Sequence, residues 1–196
     1  MIGARPLRWL TAAIILLIAA FLALQIWTMR LGLHRYRAGD VNGALPLLKV
    51  AHILNPFTDS IDMALADIDI QKGEIEKAEE ILRKLISHNP DNARAHNLLG
   101  VAFQTQNQIA EAMVEYNLAI QLDPRFALAH FNRGYLLLRA NKVKEGMESL
   151  AKAIELEPAL SVNREEVIQR LPPLSPVLPE RAGSKDKKKK SQLSHK

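Results

Sequence analysis

Residues 120–140 read IQLDPRFALAHFNRGYLLLRA, a proline set between two stretches that each carry helical periodicity. Proline donates no backbone hydrogen bond and clashes with the turn before it. Pro124 therefore ends one helix before the next begins. The same event recurs along the chain, because Pro56, Pro90, Pro124 and Pro158 are equally spaced. The prolines read as punctuation between units.

Other residues fall into the same register. Gly32, Ala66, Gly100 and Gly134 each precede a proline by one fixed interval, and Leu48, Leu82, Tyr116 and Leu150 by a shorter one. Gly39, Gly73, Asn107 and Asn141 recur as a third set, and Ala44, Ala78, Ala112 and Gly146 as a fourth. A period of this length marks stacked supersecondary units and not one globular core. In each unit a first helix carries a small residue where another helix crosses closely. A Gly or Asn then supplies the left-handed backbone that ends it. A second helix presents another small residue among larger apolar ones. Two such helices cannot bury both faces alone, so neighbouring pairs must stack. The expected fold class is all-α, a solenoid of antiparallel helix pairs behind an N-terminal apolar helix.

That apolar helix is WLTAAIILLIAAFLALQIWTM, residues 9–29, without a charge and with Gln25 as its one strongly polar side chain. A helix of this length extends roughly 30 Å, the thickness of a bilayer core. Trp9 and Trp27 stand near its ends, where indole rings favour the membrane–water interface. The run exceeds the core of a secretory signal and no small-x-small cleavage site follows it, so an uncleaved anchor is expected. Charge does not fix orientation: Arg5 and Arg8 precede the run, while Arg30, Arg35 and Arg37 follow it. The short basic N-terminus favours a repeat domain outside the cytoplasm; the arginines after the run and the lysine-rich C-terminus favour the reverse, and the first, a non-cytoplasmic repeat domain, is the expectation. A bacterial inner (plasma) membrane is the expected location. No Gly or Pro separates Trp27 from Leu31, so the anchor is expected to run directly into the first repeat helix.

Composition narrows the function. The formal net charge is +5, but residues 38–160 hold 12 basic against 17 acidic side chains. The basic excess lies in residues 1–37, with five arginines and no acid, and in residues 161–196, with nine basic and four acidic side chains. An acidic folded region with basic ends disfavours nucleic acid as partner. There is no cysteine, which excludes disulfides, thiolate metal sites and cysteine nucleophiles. Low aromatic content, 5% against 48% hydrophobic, is usual where Ala and Leu build the core of helical repeats.

With its register established, the chain resembles the tetratricopeptide repeat (TPR) family, whose units are about 34 residues long. Residues 93–126 match best, through Leu99-Gly100, Phe103, Ala112, Tyr116, Ala119 and Pro124. Residues 127–160 follow through Asn132-Arg133-Gly134, Leu137, Leu150, Ala153 and Pro158. Residues 59–92 keep Leu65-Ala66, Gly73, Ala78, Leu82 and Pro90 but hold Asp62 and Asp69 where apolar or aromatic residues are usual. A divergent first unit, residues 30–58, keeps Gly32, Gly39, Ala44, Ala51 and Pro56.

The resemblance implies a concave groove, lined by the first helices, that receives a peptide or helix of a partner protein. Carried over, its residues are Met63, Asp67, Ile70, Arg94, Asn97, Val101, Gln104, Phe131, Tyr135 and Leu138. Phe131 and Tyr135 would be its hot spots, although Phe131 could instead pack against a terminal helix. The family's two-carboxylate clamp is not expected, since Met63, Asp67, Leu98, Leu128 and Asn132 hold the matching places and Asn132 alone fits. His96 and His130 occupy equivalent places in adjacent units. They read as packing between helices, because no third ligand is placed to complete a metal shell. No phosphate loop, nucleophile elbow or isolated carboxylate pair occurs, so neither catalysis nor a cofactor is expected.

Beyond the repeats, Asn163 and Glu166 form a capping-box pattern, and residues 161–171 are expected to be a short helix covering the last unit. Residues 172–196 are proline-rich and then lysine-rich, too poor in apolar residues to fold. Lys187, Lys188, Lys189 and Lys190 could touch anionic lipid, though a solvated tail explains them as well. The sequence thus predicts a membrane-anchored scaffold or adaptor that assembles or regulates a complex. The alternative is a non-catalytic subunit of a membrane enzyme or of envelope biogenesis or secretion machinery.

Overall fold

The computed structural model of the protein describes residues 5–56 and 58–161. The expected capping helix and the lysine-rich tail lie outside them. Eight α-helices follow one another without a strand among the described residues. These are α1 (Arg5–Arg37), α2 (Val41–Leu54), α3 (Asp59–Gln71), α4 (Ile75–His88), α5 (Ala93–Thr105), α6 (Ile109–Leu122), α7 (Ala127–Arg139) and α8 (Val143–Leu156). A 3₁₀ turn at Pro158–Leu160 closes the array.

The expected punctuation is present, and its mechanism is sharper than the sequence implied. Each second helix stops two residues before its proline, at Leu54, His88, Leu122 or Leu156. The residue between is driven out of the helical region, with φ/ψ of −147/88 at Asn55, −134/79 at Asn89, −134/93 at Asp123 and −142/93 at Glu157. Proline's Cδ clashes with a helical predecessor, so the break is imposed one residue upstream.

The turn inside each pair is also uniform. Gly39, Gly73, Asn107 and Asn141 take φ of +79, +77, +61 and +59. The amide of the following residue reaches back to the helix, as in Asp40 N to Arg35 O at 3.0 Å and Gln108 N to Phe103 O at 2.9 Å. These are Schellman closures, which satisfy carbonyls that the helix end would otherwise leave open.

Within each pair a small residue on the first helix meets a large one on the second. A Cβ on Gly100 would lie 2.6 Å from Tyr116 Cε1, one on Gly134 2.9 Å from Leu150 Cγ, and one on Gly32 3.0 Å from Leu48 Cδ2. Tyr116, Leu150, Leu48 and Leu82 are wholly buried, so these contacts are the spine of the core. The divergent first unit therefore packs as the others do.

α1 runs unbroken from Arg5 to Arg37, so the apolar run and the first repeat helix are one rod. Its lower half lies apart from the array, with Leu16 and Leu17 each 70% exposed. Among the described residues it is the one helix long and apolar enough to cross a membrane. Its upper half is fixed by two polar contacts. Gln25 Nε2 donates to Leu54 O at 2.8 Å, and Tyr36 Oη donates to Asp67 Oδ2 at 2.5 Å.

Candidate functional site

A hollow of about 610 Å³ opens along the first helices. Leu33, Tyr36 and Arg37 of α1 line it, with Ser60, Met63 and Ala64 of α3 and Arg94, Asn97 and Leu98 of α5. Ala127 and Leu128 of α7, the preceding turn with Asp123, Arg125 and Phe126, and Leu156 and Glu157 at the end of α8 complete it. Residues from the first and last units thus share one concavity, which is what stacked pairs with a constant inter-unit rotation generate.

Of the residues expected to line the groove, Met63, Arg94 and Asn97 do so. Asn97 is buried and fixed in orientation, since Asn132 Nδ2 donates to its Oδ1 at 3.0 Å. Ile70 and Val101 are half-buried against the central core cluster. Asp67 is committed to Tyr36 and to Gln71, whose Nε2 donates to it at 2.7 Å. Gln104 accepts from Tyr116 Oη at 2.8 Å and so holds the core tyrosine. Tyr135 carries the Arg139 guanidinium 5.9 Å above its ring.

One expectation needs correction. Leu138 is buried, 3% exposed, and does not line the hollow. Gly146 stands where the other units have alanine, and Leu138 fills the space; a Cβ on Gly146 would lie 2.8 Å from it. Phe131 is half-buried and packs with Leu156 against the cluster of Ala127, Ala153 and Leu160.

The rim is also more charged than the expected residues were. Arg37, Arg94 and Arg125 line the hollow with Asp123 and Glu157, among apolar side chains and the uncharged polar Tyr36, Ser60 and Asn97. With three arginines against two acids, the hollow has a small basic excess, which suits a segment with hydrophobic side chains and an acidic group. Register contains the missed signal: stepping back one period from Asp67 and Ile70 gives Leu33 and Tyr36. The apolar run just before them obscures this signal.

The two equivalent histidines act inside the fold. His96 Nε2 lies 3.0 Å from Pro90 O and His130 Nε2 3.0 Å from Pro124 O, each reaching back to a punctuating proline. His96 Nδ1 also pairs with Glu115 Oε2 at 2.7 Å, an acid that sequence spacing did not bring near it. Burial pushes the His130 imidazole below its usual range; Arg133 and Lys152 push the same way, while the Pro124 carbonyl and Asp123 oppose. Asp62 takes the same register place in the preceding unit. Its carboxyl lies 2.8 Å from His52 Nδ1 as a buried ion-pair contact. Burial raises the Asp62 pKa and His52 opposes the rise. A second cavity of about 400 Å³ lies between α2, α3 and α4 around this pair.

Comparison with known proteins agrees with this architecture. The family model of the Tetratricopeptide repeat protein 21 C-terminal ARM domain matches residues 57–171. A peroxisomal targeting signal receptor of Eremothecium gossypii is 28% identical over 85 residues, 43% of this chain; the match spans 15% of that relative's length. A thermophilic TPR protein of Thermus thermophilus superposes with a TM-score of 0.68 at 22% identity, covering 74% of this chain and 81% of the other. PilF of Pseudomonas aeruginosa superposes with a TM-score of 0.63 at 23% identity, covering 76% and 70%. These two structures share the fold. With four equally spaced, proline-punctuated helix pairs and a family match over more than half its length, the chain belongs to the tetratricopeptide repeat family.

Proposed function

We propose that the protein is a single-pass membrane scaffold whose hollow holds a segment of a partner protein beside the bilayer. The observation that carries this is the single concavity shared by the first and last units. An enzyme confines its chemistry to a few convergent polar groups. Here the polar groups are spread along an apolar trough, which suits recognition of a chain. The partner segment carries two or three hydrophobic side chains and an acidic group that answers Arg37, Arg94 and Arg125. The protein itself is not an enzyme, and its role is to assemble or regulate a complex.

The membrane part of the reading rests on the exposed half of α1. From Trp9 to Leu24 its large apolar side chains are about half exposed or more, and covering the exposed part of each is worth on the order of 1 kcal/mol. Such a surface requires lipid or protein around it. A bacterial inner membrane with the repeats on the non-cytoplasmic face fits the short basic N-terminus.

Photocrosslinking in intact membranes tests the hollow. A photoreactive residue in place of Leu128, on the hollow's wall, should give one protein adduct that disappears when Arg94 and Arg125 are changed to Glu. The same probe at Val114, exposed on α6, should give none. Equal adducts from both positions, or an adduct indifferent to the charge reversal, would refute the proposed groove. A stable stoichiometric enzyme complex on copurification would instead support a non-catalytic subunit role.

A further inference from the structure

We propose that the C-terminal half of α2 enters the lipid interface beside α1, so that the protein meets the bilayer through two elements. This rests on the anchor reading above. Helix α2 runs antiparallel to α1, and the Gln25–Leu54 hydrogen bond fixes their relative height. Both helices advance about 1.5 Å per residue. Leu54 is therefore level with Gln25, about 3 Å deeper along α1 than the interfacial Trp27 and about 7–8 Å deeper than Arg30. The end of α2 stands inside the span that α1 defines.

The side chains there match that depth. Ile53 is 77% exposed and Val50 42% exposed, one turn apart on the outer face of α2. Lys49, five residues before Leu54, comes level with Arg30, five residues after Gln25. Cations thus stand at headgroup height with apolar side chains beneath them, the order an interfacial helix adopts.

The repeats supply an internal control. In the other three units the register place of Ile53 holds Ser87, Gln121 and Glu155, and none of these is apolar. The repeat itself requires nothing apolar at that place. It is apolar in the one unit held against the membrane helix. The exposed surface of α2 is continuous in height with Leu24, Ile26 and Trp27 of α1, themselves about half exposed. Lipid is the occupant that covers both.

The cysteine-free chain allows a direct test. The full-length Ile53→Cys, Leu16→Cys and Gln121→Cys variants would each carry a bimane fluorophore in phosphatidylcholine–phosphatidylglycerol vesicles. The vesicles would contain nitroxide lipids labelled near the headgroup or, separately, at mid-chain. Headgroup-label quenching at Ile53 is expected to be several times that at Gln121. Mid-chain quenching at Leu16, with Ile53 as unquenched as Gln121 by either label, would overturn the proposal and leave the anchor standing. Loss of quenching at all three sites would overturn both.

Discussion

The first and third helix pairs are built on one plan and used in two ways. In each, a glycine on the first helix seats a large side chain from the second, Gly32 under Leu48 and Gly100 under Tyr116. Each closes its turn through a left-handed residue, Gly39 or Asn107. Yet α1 has 33 residues and α5 has 13. The outer face of α2 is apolar at Ile53, where α6 has Gln121. The contacts between helices define the repeat, and the outward faces are free to suit their surroundings.

The shared plan is most vulnerable at the inner contact. Tyr116 is wholly buried in the middle of the array, so Tyr116→Ala should destabilise by about 3–5 kcal/mol. Because units are stabilised mainly by their neighbours, the loss should uncouple the two halves of the solenoid. Denaturant unfolding in detergent should show a second transition; a single transition at an unchanged midpoint would count against the shared plan.

A finer distinction separates the two glycines. Gly100→Ala drives a methyl into a fixed ring edge and should destabilise by about 1–3 kcal/mol. Gly32→Ala meets the end of a leucine side chain at 3.0 Å. The required shift is a few tenths of an ångström, smaller than at the tyrosine ring, and the helix gains about 0.5–1 kcal/mol from losing glycine. The second variant should unfold close to the wild-type midpoint, and equal effects would show that the two contacts are alike.

The attachment of the rod to the array can be weakened separately. Tyr36→Phe removes the hydrogen bond from α1 to Asp67, a charged acceptor, at a partly buried site. A loss of about 1–2 kcal/mol is expected. Hydrogen exchange should quicken in the upper turns of α1 and in α3 while α5 to α8 keep their protection.

The smallest expected effect is one of pH. Burial lowers the His130 pKa below its ordinary value of 6.5, so the folded protein holds this imidazole neutral more readily than the unfolded chain does. Its contribution is present above the unfolded value and is lost as pH falls from about 6.5 toward the folded value. His130→Gln keeps a donor for Pro124 O and cannot take up the proton. Wild type should therefore lose more stability than this variant between about pH 7 and pH 5, measured by urea titration.

Much of this was legible in the sequence, for a physical reason. Punctuation is local: Pro124 acts on Asp123, and Asn107 on its own φ. Close packing of a small residue on a large one repeats with the period, so Gly100 and Tyr116 announce themselves. The continuity of α1 followed from the absence of a breaker between Trp27 and Leu31. What escaped depends on packing between elements. Glu115 meets His96 only once α5 and α6 are laid together. Leu138 turns inward because Gly146 vacates a volume, a compensation between two helices that no single helix records.

Both uses of the repeat depend on α1 being one rigid rod that serves the apolar span and the first unit together. Spin labels at Ala13 and Arg35, in the protein reconstituted in nanodiscs, test it by pulsed electron spin resonance. Unbroken helix between these positions predicts a single narrow distance distribution centred at about 33 Å. A broad distribution, or a shorter distance from a bend between Trp27 and Leu31, would contradict it.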